Sequence, residues 1–166
     1  GREFKNKELY FKDGKNIVIH LRSPRQDLDV RFEGSRNLFY GSFQDIDRIN
    51  NTIRQIEHSE KDYKLNFHVV STGDQKLFKN IDTMYDKNEI YLHLEANIFD
   101  SLDMLLYSDI LVVCGSGLSY SAHLLNNNKT LVPANINKGK RTFYKSSIDL
   151  DEKGLIRRLN YKEKLF

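Results

Sequence analysis

Two short stretches hold residue types suited to gripping an anion. His20-Leu21-Arg22 closes a β-branched apolar run, and Arg22 offers a forked, permanently charged donor that matches two phosphate oxygens at once. Further along, Gly115-Ser116-Gly117-Leu118-Ser119-Tyr120-Ser121 follows a second apolar run and opens a helical pattern. Gly115 and Gly117 allow the backbone to round a tight turn, and hydroxyls and free amides at a helix start make a ready phosphate site. A diphosphate is the natural guest of the pair. As a leaving group it would gather negative charge that Arg22 could stabilise.

The elements that must carry these residues read as alternating strands and helices. Asn16 to Leu21 is a short buried strand, and Gln44 to His58 an amphipathic helix with Ile46, Ile49, Ile53 and Ile56 on one face. Between them lies a long charged loop containing Arg25, Asp27, Asp29, Arg31, Glu33 and Arg36. Leu65 to Val70 reads as the second strand, followed by Ser71-Thr72-Gly73-Asp74 and a short helix from Gln75 to Ile81. Glu89 to Leu94 is the third strand, with His93 and Tyr91 alternating with Ile90, Leu92 and Leu94. The pattern predicts a helix over 97–108, a strand over 110–114, a helix from the Ser turn to Asn126, and a strand over 130–133. Lys153 to Lys164 reads as a terminal helix.

This alternation implies an α/β fold, a Rossmann-like three-layer α/β/α lobe with a mainly parallel sheet of about five strands. Residues 1–15 form an entry segment, a strand or a piece packed on a neighbour, and 16–166 a single domain. With strand order 3-2-1-4-5, strands 1 and 4 are neighbours whose connections leave in opposite directions. The two anion-gripping stretches then meet at one switch point, on the carboxyl edge of the sheet.

Composition removes several alternatives. A formal net charge of +3, from 26 basic and 23 acidic residues, is too small to argue for nucleic acid. The single cysteine, Cys114, sits in an apolar strand, so neither a disulfide framework nor a cysteine metal site is expected. It is compatible with a cytoplasmic setting; localisation is otherwise open. No apolar run reaches the ~20 residues a membrane span needs, so no membrane contact is expected from this segment. Neither Gly-x-Gly-x-x-Gly after strand 1 nor Gly-Lys-Ser/Thr occurs, which argues against nicotinamide enzymes and P-loop NTPases. His58, His68 and His93 fit no metal-ligand spacing and read as structural or surface residues.

His20-Leu21-Arg22 resembles the His-x-Arg-Arg motif of the α-1,2-, α-1,6- and protein O-fucosyltransferases. Ser116 to Ala122 resembles their Ser-Ser-x-Ser segment, and Ile98 to Leu105 with Tyr107-Ser108-Asp109-Ile110 is similar to the helix that precedes it. The resemblance implies the donor-binding lobe of a GT-B glycosyltransferase, inverting and independent of metal, with a nucleotide sugar, GDP-linked, as substrate. Arg22 then matches the arginine at the β-phosphate and is the catalytic candidate. His20, Ser116, Ser119 and Ser121 match nucleotide contacts, and Asp74 resembles the aspartate after strand 2. Ser23 stands where the family has a second arginine; Arg25 is the substitute at hand.

Plainer roles exist for the same residues. Ser116 and Ser119 could simply cap a helix, and His20 could be a hydrogen-bonded residue of the sheet. A Ser119–His123 pair is geometrically possible one helical turn apart, but the nucleophile-elbow pattern is lacking. Lys138 to Lys145 mixes basic and aromatic residues and reads as a solvated loop or an acceptor-side edge. A chain of 166 residues opening on Gly1 cannot hold both GT-B lobes, so an acceptor-binding lobe is expected elsewhere in a larger protein. The alternative is a non-catalytic Rossmann-like binding or assembly module.

Overall fold

Among the described residues, six parallel strands in the order β3-β2-β1-β4-β5-β6 make the sheet of this computed structural model. The structure describes residues 4, 6–21, 46–114, 116–133, 148–150 and 153. The strands are β1 (Lys15–His20), β2 (Leu65–Val70), β3 (Glu89–His93), β4 (Ile110–Val112), β5 (Lys129–Pro133) and β6 (Ile148–Leu150). The helices are α1 (Lys7–Tyr10), α2 (Ile46–Ser59), α3 (Ile98–Tyr107) and α4 (Gly117–Leu125), with a 3₁₀ turn over Gln75–Phe78.

Side-chain alternation along β1 builds the layers. Ile17 and Ile19 join Ile49, Ile53 and Ile56 of α2 on one face, while Val18 joins Met104 and Leu105 of α3 and Ala122 of α4 on the other. Every apolar residue in β1 is therefore buried, as expected of a strand covered on both sides. Chain direction explains the division: β1 to β2 steps one way, β3 to β4 steps back across β1, and right-handed crossovers then place their helices on opposite faces. The result is the expected Rossmann-like α/β fold.

Its ends are fixed by short polar contacts. Gly14, at φ 109°, turns the chain into β1, and a side chain there would lie 2.5 Å from the Lys64 carbonyl oxygen. Asn126 caps α4 and donates through Nδ2 to the Leu105 carbonyl, tying that helix to the end of α3. Glu57, wholly buried at the end of α2, accepts from the Met84 amide and from Asn88 Nδ2, which holds the approach to β3.

Three differences from the sequence reading follow from local energetics. Residues 7–10 form one helical turn rather than a strand, because Asp100 on α3 accepts from both Asn6 Nδ2 and Tyr10 Oη while Phe4 and Phe11 bury against the sheet. The segment after Asp74 closes as a 3₁₀ turn, and only Phe78 of it is buried. A sixth strand, Ile148–Leu150, extends the sheet beyond β5, and three residues are too few to show a period. The long loop from Arg22 through Arg25, Asp27, Asp29, Glu33 and Arg36 lies outside the described residues, as do Lys138 to Lys145 and most of the expected terminal helix.

Candidate functional site

Because β1 lies between β2 and β4, its carboxyl end is the switch point of the sheet. Ile19 pairs with Val112, so His20 comes beside the segment that leaves β4 toward α4. There its Nδ1 meets three groups: Ser119 Oγ at 2.5 Å, Ser116 Oγ at 3.4 Å and Cys114 Sγ at 3.6 Å. The cluster joins the two stretches singled out by their chemistry.

Each hydroxyl is held by the backbone. Ser116 is the N-cap of α4 and accepts from the Ser119 amide at 3.1 Å. Ser119 Oγ accepts from the Cys114 amide at 3.3 Å. Cys114 lies past the end of β4, half-buried rather than within the strand, with a free thiol. Burial pushes that thiol up, but its contacts with His20, Ser119 and Ser116 more than offset this and leave its pKa below the ordinary value.

A cavity of about 320 Å³ opens above this cluster. His20 and Leu21 wall it from β1, Ser71 and Thr72 from the end of β2, Ser101 from α3, and Ser116 from the start of α4. A second hollow of about 540 Å³ continues along the same edge past β3, bordered by Tyr10, Gln75, His93 and Glu95, with Ala96 shared between the two. Beneath it His68 is fully buried, its Nε2 2.9 Å from Asn16 Oδ1 and its Nδ1 3.0 Å from His93 Nε2. Asn16 Oδ1 also accepts from the Lys12 amide, so it serves as acceptor to both. Burial, with His93 and Lys12 nearby, holds the His68 pKa down to about 3.

The expected site residues separate accordingly. His20 and Ser116 line the cavity, whereas Ser119 lies wholly beneath it and touches His20 instead. Ser121 and Gly117 are exposed. Asp74 uses its carboxylate to cap the 3₁₀ turn through the Lys76 amide at 2.9 Å. Arg22, Arg25 and Gly115 lie outside the described residues. Ser119 pairs with His20 rather than with His123.

Several residues were not anticipated here. Ser71 and Thr72 stand directly after a buried strand, which is the signal that could have found them. Ser101 and the place of Cys114 had no comparable signal. Among the described residues no group of three or more His, Cys, Asp or Glu side chains is arranged to hold a metal ion, and no helix is long and apolar enough to cross a membrane.

No family model matches the chain, and no curated protein matches it significantly. Among solved structures, one described as an S. aureus MnaA–UDP co-structure is similar at a TM-score of 0.42 and 14% identity, over 80% of this chain and 31% of that one. The chain thus spans about a third of that structure's length.

Proposed function

We propose that this chain is the donor-binding lobe of a glycosyltransferase, taking a nucleoside diphosphate sugar at the carboxyl edge of its sheet. The observation that carries this reading is the 320 Å³ cavity at the switch point, where His20 from β1 and Ser116 from the start of α4 share one wall. Ligands of open α/β sheets bind at that place. The first turn of α4 adds the positive end of a helix dipole, which favours phosphate.

In this reading Ser116 and the α4 amides hold the diphosphate, and His20 lies against it. Arg22, next in the chain after the cavity residue Leu21, neutralises charge on the departing β-phosphate. That role for arginine makes catalysis independent of a metal. The motif resemblance favours a GDP-linked sugar, fucose among the candidates, transferred with inversion to an acceptor held by a second lobe. Neither the hydroxyls nor the arginine distinguishes guanine from uracil, so the base is a matter for measurement.

Thermal unfolding with GDP, UDP, ADP and their sugars tests the proposal. A ligand at a hundred times its Kd should stabilise the fold by about 2.7 kcal/mol and raise Tm accordingly. An unchanged Tm with millimolar GDP and UDP would overturn the reading in favour of a non-catalytic module.

A further inference from the structure

Three hydrogen-bearing groups converge on His20 Nδ1, and two of them are already used as acceptors. Ser119 Oγ takes the Cys114 N–H and Ser116 Oγ takes the Ser119 N–H. A hydroxyl that takes an amide proton on one lone pair still has its own proton to place. The acceptors in reach of Ser119 Oγ are His20 Nδ1 at 2.5 Å and Cys114 Sγ at 3.6 Å. The far shorter contact, to His20, takes the proton, with Ser116 Oγ standing 3.4 Å from the same nitrogen. If Nδ1 accepts, the ring proton must sit on Nε2. Among the described residues Nε2 has no hydrogen-bond partner, and His20 borders the cavity.

We infer that Ser119 is a positioning residue: held by the Cys114 amide, it donates to His20 Nδ1 and keeps the imidazole proton on Nε2, so that His20 meets a cavity ligand as a hydrogen-bond donor. A donor there suits phosphate oxygens or a carbonyl and disfavours a cationic or donor-only group. This ligand preference rests on the proposed nucleotide reading; the tautomer does not. Ser119 is itself fully buried, so its influence on a ligand passes through His20.

Nitrogen-15 spectra of the histidine rings at pH 8, where imidazoles are ordinarily neutral, test the tautomer in the ligand-free protein. The His20 signals are assigned by comparison with His20→Gln. A proton on Nε2 is expected; a proton on Nδ1 overturns the inference. Ser119→Ala should mix the tautomers and weaken GDP or UDP binding about tenfold, in the range expected of a charge-assisted hydrogen bond. Ser119→Thr, which keeps the hydroxyl, should restore both. A Ser119→Ala protein that keeps the Nε2 proton overturns Ser119's role. Loss of nucleotide binding in the wild type with the Nε2 proton intact overturns the nucleotide reading and upholds the hold of Ser119 on His20.

Discussion

His20 and Ser119, ninety-nine residues apart in the chain, meet through Nδ1 and Oγ at 2.5 Å in a buried contact. One ends the central strand and the other lies in the first turn of the helix beyond β4. Their meeting depends on the strand order, so agents that report on either residue should report on both.

Cys114 provides one such report, since its thiol lies 3.6 Å from His20 Nδ1 and below its ordinary pKa. Alkylation by iodoacetamide, followed against pH, should show a midpoint below the usual thiol value of about 8.5. A midpoint at or above that value would contradict the hold of the surrounding groups on the thiol.

Ser116→Ala removes the N-cap of α4, in which Ser116 Oγ accepts from the Ser119 amide. The expected loss is about 1 kcal/mol of stability, read from denaturant midpoints. Arg22→Ala should leave the midpoint unchanged yet weaken GDP binding about tenfold or more, as loss of a charge-assisted contact does. Equal losses of stability in the two variants would argue that Arg22 is structural.

His68 makes stability depend on pH. Its pKa is held down to about 3, with burial as the largest cause. The unfolded chain therefore takes up a proton below about pH 6.5 that the folded protein refuses. This contribution is complete above the unfolded value and falls with pH toward 3, by up to about 1.4 kcal/mol per unit. His93, also lowered by burial and by Lys12, acts in the same direction. Urea midpoints between pH 7 and 4 should fall, and His68→Phe should flatten the slope; a midpoint independent of pH would contradict the buried pair.

Gly14→Ala should destabilise the fold by about 1–3 kcal/mol, because the position has a positive φ and a Cβ there would press on the Lys64 carbonyl. The measurement is Tm by calorimetry. Gly117→Ala is the control, since a Cβ at that position meets nothing within 4 Å.

The juxtaposition of His20 with the Ser turn was legible because buried parallel strands announce themselves as continuous apolar runs. β2 was read with its observed bounds, Leu65–Val70, and α2 nearly so. Strand count and alternation then implied the switch point. What stayed hidden depends on direction rather than pattern. Ser119 and Ser121 are both hydroxyls in the same helix, and its period sets them on opposite sides, but which side faces inward follows from how the turn leads into the helix. The His68–His93 contact crosses two strands whose register no periodicity specifies. Cys114 continues an apolar run by residue type, yet the strand ends at Val112, Val113 makes one further bond to β5, and by Cys114 the chain has begun to turn.

The hydrogen-bond ladder continues past the ends of the strands: Leu21 N–H donates to the Val70 carbonyl, Ser71 N–H to that of His93, and Val113 N–H to that of Leu131. The floor of the cavity is thus laced together by main-chain bonds, which do not depend on the identities of the side chains standing on it. Such a floor works as a mounting plate. Ser71 and Thr72, which stand at its edge and line the cavity, can be exchanged while the plate keeps its shape. Changing the lining of the cavity should therefore cost this protein little foldedness, so long as His20 and its buried serine are left in place.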